Sequence, residues 1–286
     1  MLATRLQSLG RQVAELFRLA RRVSRLGADG RARALILLIG LALPIKRRVP
    51  FLRSRALRLR LRKLGTEFSF TVADRADYVI LAEVLVAEAY ALPELTDPSA
   101  IIDLGANVGA SVAFFRLRYP HASICACEPS PAVFGRLQQN VGTMKKVSLR
   151  RIAVTDRTGS MPFRVSDESL MSSLDSSVPG RVVTVETRTL DDLMADLSLD
   201  ELDLLKIDIE GAEFEVLRSF AGLDRTRAVV GEVHFDLIEQ SLDEFFALLE
   251  GFEIRKRRMP LPDVPGADRW VFEAVRPHAP PRAEGA

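Results

Sequence analysis

Two cysteines in 286 residues exclude a disulfide framework. Cys125 and Cys127 stand two apart in "ASICACE", on one face of a strand, with no further cysteine to complete a metal site. They read as small buried hydrophobes, and their scarcity fits a reducing, cytoplasmic compartment. Long apolar runs are absent too. The uncharged stretch "ALILLIGLAL" (34–43), extending to Ile45, falls short of the roughly 18 residues that span a bilayer. It also lies too far from the start, and lacks a small-residue cleavage site, to act as a secretory signal. Histidine is scarce: His121 follows Pro120 in a turn and His278 lies in the tail, which leaves His234. No internal repeat is present.

The net charge of +2 hides an asymmetry. Residues 1–64 hold 17 Lys and Arg against Glu15 and Asp29, a balance of +15; the remaining 23 basic and 36 acidic residues leave −13. A basic arm therefore precedes an acidic body. Its Arg-rich stretches "RLARRVSRL" and "IKRRVPFLRSRALRLRLRKL" suit helices at a headgroup interface, and the apolar run 34–43 suits a helix capping the main domain. A membrane surface is favoured over nucleic acid as the arm's partner, because Phe17 and Phe51 are its only aromatics and bases would find little to stack on.

From residue 100 onward strand and helix signals alternate. "AIIDLG", "ASICACE", "VSLRRIAVT", "LLKIDIE" and "AVVGEVHF" read as strands. "GASVAFFRLRY", "SPAVFGRLQQNVG", "TLDDLMADL", "AEFEVLRSF" and "SLDEFFALLEGF" read as helices. Ser130 is placed as an N-cap with Pro131 following, Thr189 as another, and Ser241 with Glu244 has capping-box spacing. Before them, 68–74 reads as a strand and 77–92 as a helix. Residues 156–187, rich in Ser and Gly, read as a hairpin-like insertion with a mobile centre. "FEIRKRR" and "RWVFEAVR" are closing strands. The expected architecture is a doubly wound, mostly parallel α/β sheet with a helical basic extension: arm 1–64, domain 65–276 with its ligand-binding core from about residue 100, disordered tail 277–286.

In such sheets ligands bind outside the carboxyl ends of the strands. "IIDLGANVGAS" (101–111) places Gly105 and Gly109 at such an end, where backbone can approach a ligand closely. The spacing is not that of a dinucleotide fingerprint. Glu128 ends the next strand, where a carboxylate can accept both hydroxyls of a ribose, so a nucleoside is the expected ligand. In "LLKIDIEGAE" (204–213), Lys206, Asp208 and Glu210 share one face of a strand, and Gly211 frees the chain to turn. Glu232 and His234 share a face of the following strand. An ionisable cluster at a strand end supplies a general base; Asp208 and His234 are the favoured candidates, with Glu210 and Glu232 orienting substrate. Lys206 fits equally a structural ion pair with Asp208 and a functional role. A metal held by Asp208, Glu210 and Glu232 or His234 is chemically competent but ranks below direct base catalysis, so no metal is expected.

"DLGANVGAS", "CEPSP", "TLDDL", "LLKIDIEGAEFEVL" and "GEVHFD", in this order and spacing, resemble the FkbM-type S-adenosylmethionine-dependent methyltransferases from about Asp77 to about Val275. The resemblance implies a class I methyltransferase (Rossmann-like) sheet ending in an antiparallel strand, and O-methylation of a hydroxyl on a sugar, glycan or other small molecule. It implies that Asp103, Gly105, Ala106, Asn107, Gly109, Glu128 and Pro129 hold S-adenosylmethionine, with Ala153 and Val154 flanking its adenine. The arm lies outside it. Two other classes stay open at this point: a nucleic-acid methyltransferase using the arm, and a non-catalytic methyltransferase-like binding module. The expected location is cytoplasmic, with the arm at the inner membrane surface.

Overall fold

The computed structural model describes residues 2–46, 56–165, 181–259 and 268–277. Two helices, α1 (Leu2–Ser24) and α2 (Gly30–Lys46), form an antiparallel pair. Gly40 of α2 sits where a Cβ would meet Ala20 of α1 at 2.7 Å and the Tyr78 ring at 2.8 Å, so its missing side chain sets how closely the helices approach. Strands β1 (Leu57–Lys63) and β2 (Thr66–Val72) follow as a hairpin. The Arg-rich stretch expected to be helical is thus a strand over 57–63. Its period is two: Leu59 and Leu61 are buried while Arg58, Arg60 and Arg62 are exposed. Residues 47–55, within the same stretch, lie outside the described residues.

Helix α3 (Arg75–Ile80) is capped by the Asp74 side chain, which accepts from the Asp77 N–H. It runs directly into a π-helical turn, Leu81–Val86, and the helix ends there rather than at residue 92. The remaining strands are β3 (Ala100–Leu104), β4 (Ser123–Cys127), β5 (Val147–Arg150), β6 (Ala153–Val154), β7 (Gly159–Val165), β8 (Arg181–Arg188), β9 (Leu202–Ile207), β10 (Thr226–His234), β11 (Glu253–Arg258) and β12 (Arg269–Val275). Seven of them form one sheet in the order β11-β12-β10-β9-β3-β4-β5. Strands β5, β4, β3, β9 and β10 are mutually parallel, and β12 runs antiparallel between β10 and β11.

Both sheet faces are covered. On one side α1, α2, β1–β2, α3 with its π-turn, α4 (Ala110–Arg118) and α5 (Pro131–Val141) build a core around Tyr78, Leu85, Phe114 and Leu204. On the other, α6 (Leu190–Asp196), α7 (Glu213–Ser219) and α8 (Leu242–Ala247) pack around Leu205, Val216, Phe245 and Phe272. The Thr189 cap and the Ser241–Glu244 capping box are present. Ser130 does not cap α5 with its side chain; its N–H is drawn instead to Glu128, 2.9 Å away.

The stretch expected as a third strand divides. Residues 147–150 join the main sheet, whereas Ala153–Val154 turn off to pair with β8 in a separate three-stranded sheet, β6-β8-β7. The hairpin insertion is therefore stitched to the end of the main sheet. Its centre, 166–180, and the tail 278–286 lie outside the described residues.

Candidate active site

Strands β3, β4, β9 and β10 end together, and the loops leaving them build two adjoining cavities. After β3 the chain turns through Gly105 (φ +75°), Asn107 (φ +48°) and Gly109 (φ +93°). A Cβ on Gly105 would stand 1.8 Å from the Asp208 carbonyl oxygen, so the crossing of these two loops requires glycine. The left-handed Asn107 directs its N–H to Glu128 Oε2 at 3.1 Å. With the other carboxylate oxygen accepting from Ser130, Glu128 is fixed at the end of β4. Burial pushes its carboxyl up to about 7, against the pull of those two N–H groups.

The first cavity is lined by Gly105, Asn107, Glu128 and Pro129 at one end, by Ile152, Ala153, Val154 and Phe163 at the other, and by Asp208, Ile209 and Glu210 along its side. Phe163, on β7 of the insertion, carries no sequence signal toward this role. Asp103 and Gly109 lie outside this lining. Asp103 is fully buried, accepting from the Ser111 hydroxyl at 2.6 Å and paired with the Lys206 ammonium at 3.2 Å. Ala106 faces the second cavity.

That second cavity, of about 280 Å³, is lined by Val79, Ile80, Glu83 and Val84 from α3 and its π-turn, by Tyr90, and by Lys206, Asp208, Glu210, Glu232, Met259 and Arg269. Lys206, Asp208 and Glu210 thus meet as their alternation predicts, although β9 itself stops at Ile207. Lys206 is 1% exposed and donates to the carbonyls of Leu104 (3.0 Å) and Gly105 (2.7 Å). Burial alone would depress its ammonium; the Asp103 and Asp208 charges more than offset that and raise it. Its Asp208 contact is the longer one, at 3.7 Å. Tyr90 donates toward Asp208 Oδ2 (3.1 Å) and Glu232 Oε1 (3.4 Å). Burial, with the charges of those two carboxylates, holds its phenol well above its ordinary range.

Glu210 carries the backbone signature of a held residue. Its φ is +53°, a left-handed conformation that costs a non-glycine side chain about 1–3 kcal/mol, and Gly211 follows at φ +101°. Burial pushes its carboxyl up to about 7, with the His234 charge pulling back and Asp208 pushing further. Burial and the Asp208 charge take Glu232 up to about 8, and the same two causes take Glu83 up to about 7.

His234 lies against this cluster, 1% exposed, with Nε2 3.4 Å from Glu210 and 3.9 Å from Asp208. Its Nδ1 meets Glu213 Oε1 at 2.8 Å. Glu213, fully buried in the first turn of α7, also accepts from the N–H groups of Ile209 and Gly211, so one carboxylate holds both the 209–211 turn and the imidazole. Burial would lower His234, but the charges of Glu213 and Glu210 lift it to about 10, which keeps the ring protonated at neutral pH. Glu83, Tyr90, Glu213 and Arg269 are the polar groups here that sequence reasoning missed. Only Glu83 left a trace, as a lone acid in the apolar run "VILAEVLV".

One ligating atom each from Asp208, Glu210 and His234 fall within 4.8 Å of one another. Of the residues expected at the site, Glu128, Pro129, Ala153 and Val154 line the first cavity, Ala106, Lys206 and Glu232 the second, and Gly105, Asn107, Asp208 and Glu210 both; His234 lies behind, and Asp103 and Gly109 line neither.

A doubly wound sheet with an antiparallel strand inserted next to its edge, and its glycine turn and acidic strand end at the carboxyl side, is the class I methyltransferase architecture. The sequence profile described as "Methyltransferase FkbM domain" matches residues 103–257, and the chain belongs to that family of methyltransferases. It is similar to "Methyltransferase 1" of Beauveria bassiana (28% identical over 185 residues, 57% of this chain and 70% of that protein). It is equally similar to "2-O-methyltransferase NoeI" of Sinorhizobium fredii (28% over 170 residues, 54% and 68%). "Hexuronic acid methyltransferase AglP" of Haloferax volcanii matches at 26% over 148 residues, 50% of this chain and 59% of that protein.

Proposed function

We propose that the protein is an S-adenosylmethionine-dependent O-methyltransferase acting on a hydroxyl of a sugar, glycan or similar small molecule. The observation that carries this reading is that Asp208 and Glu210 line both cavities at once. A donor in the first and an acceptor in the second would meet at these two carboxylates. The first cavity suits a nucleoside: Glu128 can accept ribose hydroxyls, and Ala153, Val154 and Phe163 offer an apolar slot for a base. The Gly105 crossing supports the fit, since a Cβ there would force apart the two loops that form the cradle. S-adenosylmethionine supplies, when bound, a methyl group on a cationic sulfur, which departs as a neutral thioether.

The chain's own residues handle the alcohol. A hydroxyl is a poor nucleophile until its proton leaves, and we assign that proton to Glu210. Its carboxyl titrates near neutrality, and its strained backbone holds it at the junction. His234, held protonated by Glu213, is then a cationic partner that steadies the Glu210 carboxylate rather than the base. Asp208, Glu232 and Tyr90 offer hydrogen-bonding positions for neighbouring hydroxyls, and Val79, Ile80 and Val84 an apolar wall for a ring face. The relatives named for 2-O- and hexuronic acid methylation support this acceptor class.

The test is methyl transfer from labelled S-adenosylmethionine to a panel of glycans and hydroxylated metabolites. Wild type should methylate at least one, and Glu210→Gln should lose about 10²- to 10⁴-fold in kcat, the usual worth of a general base. Transfer by Glu210→Gln within threefold of wild type would remove Glu210 from that role.

A further inference from the structure

The face of the α1–α2 hairpin turned away from the core has no partner within the described chain. Of the six most exposed large apolar side chains among the described residues, three are here: Phe17 (46% exposed), Leu35 (51%) and Leu38 (64%). On α1, exposed Ala14, Phe17, Arg18 and Arg21 fall at i, i+3, i+4 and i+7, opposite buried Ala20 and Val23, and exposed Arg25 follows just past the helix end. On α2, exposed Arg31, Leu35, Leu38 and Ala42 fall at i, i+4, i+7 and i+11, opposite buried Ala32, Ile36 and Gly40. Apolar side chains and guanidinium groups thus share one outer surface. The only acids on the described hairpin are Glu15 and Asp29, and Asp29 is taken up by Arg60 at 3.2 Å.

We propose that this surface seats on an anionic lipid bilayer, with Phe17, Leu35 and Leu38 at the acyl boundary and the arginines among the headgroups. Charge complementarity selects this occupant. A second copy of the chain would bring arginine against arginine, whereas anionic headgroups neutralise the strip while acyl chains cover its leucines. No helix among the described residues is long and apolar enough to cross a membrane, so the hairpin lies on the surface.

The hairpin is also wired to the second cavity. Helix α1 packs on the π-turn that carries Glu83, and the Arg22 charge reaches that carboxyl. A bilayer beneath α1 and α2 therefore lies behind one wall of the cavity that we assign to the acceptor. That an acceptor is drawn from the membrane rests on the methyltransferase reading; the docking itself does not.

Co-sedimentation of the full chain with vesicles tests it without any activity measurement. Vesicles of phosphatidylcholine with one-quarter phosphatidylglycerol should bind the protein at least tenfold more strongly than pure phosphatidylcholine, and 0.5 M salt should weaken binding. Phe17→Glu with Leu38→Glu, and separately Arg18→Glu with Arg21→Glu, should each lower the partition coefficient at least tenfold. Their melting temperatures should stay within a few degrees of wild type, since all four side chains are exposed. Equal binding to both vesicle types, no binding to either, or full binding by the glutamate variants would overturn the proposal. So would a dimer in sedimentation velocity that Leu38→Glu dissolves, or retention on RNA with none on anionic vesicles.

Discussion

Glu213 organises the site without lining either cavity. It holds Nδ1 of His234 and the N–H groups of Ile209 and Gly211, so its charge and its geometry act together. Glu213→Gln keeps much of the shape and removes the charge, and the imidazolium loses the partner that contributes most to raising it. In a profile of kcat/KM against pH, wild type should rise through about 7 to 8 as Glu210 and Glu232 lose protons and fall near 10 as His234 does. Glu213→Gln should move the falling limb down by at least a unit and the rising limb down by less, since the Glu213 charge is a minor cause of the raised Glu210 carboxyl. Unmoved limbs would mean that His234 is not what sets the alkaline side. Nothing in the sequence marks Glu213: an acid in a helix's first turn reads as a dipole-favoured surface residue, and only the fold shows it wholly buried. Lys206, Asp208 and Glu210 were expected together from strand alternation, and they do meet, but only Lys206 lies on β9; Asp208 and Glu210 are brought to it by the turn past Ile207 that Glu213 holds.

At the scale of elements, local chemistry decided most outcomes. The Ser241–Glu244 box was readable because its partners are three residues apart; Ser241→Ala should cost about 1 kcal/mol in denaturant unfolding and leave kcat unchanged. The failures have different causes. In "LRLRLRK" the abundance of arginine suggested a basic helix, yet the leucines alternate with period two, and burial of Leu59 and Leu61 settles the strand. In "VSLRRIAVT" a single strand was expected, but pairing of Ala153 and Val154 with Thr187 and Arg188 pulls the second half into another sheet. That partner lies beyond the insertion, out of reach of any local pattern. The π-turn at 81–86 carries Glu83 into the cavity wall.

For the whole molecule, the raised carboxyls and imidazole act in one direction. Glu128, Glu210 and Glu232 have folded pKa values above their unfolded ones, and so does His234. Each group's contribution is complete below its unfolded pKa and is lost as pH climbs through the folded value. The melting temperature should therefore be higher at pH 6 than at pH 9.5, by scanning fluorimetry; a maximum at alkaline pH would contradict these shifts. Chelation bears on the same cluster. The ligating atoms of Asp208, Glu210 and His234 lie within 4.8 Å of one another; if Glu210 acts as a base without a cation, dialysis against EDTA should change kcat less than twofold. The fold class, the glycine turn, Glu128 and the acidic strand ends were all legible, because they depend on short-range patterns. The meeting of two cavities was not, because it joins residues from Val79 to Arg269. That meeting is the central claim, and its first requirement is a nucleoside held at Glu128 beside Glu210. Calorimetric titration with S-adenosylmethionine measures it most directly. Wild type and Glu210→Gln should bind with dissociation constants within a few-fold of each other, and Glu128→Ala should bind at least tenfold more weakly. No binding by wild type, or undiminished binding by Glu128→Ala, would contradict the account.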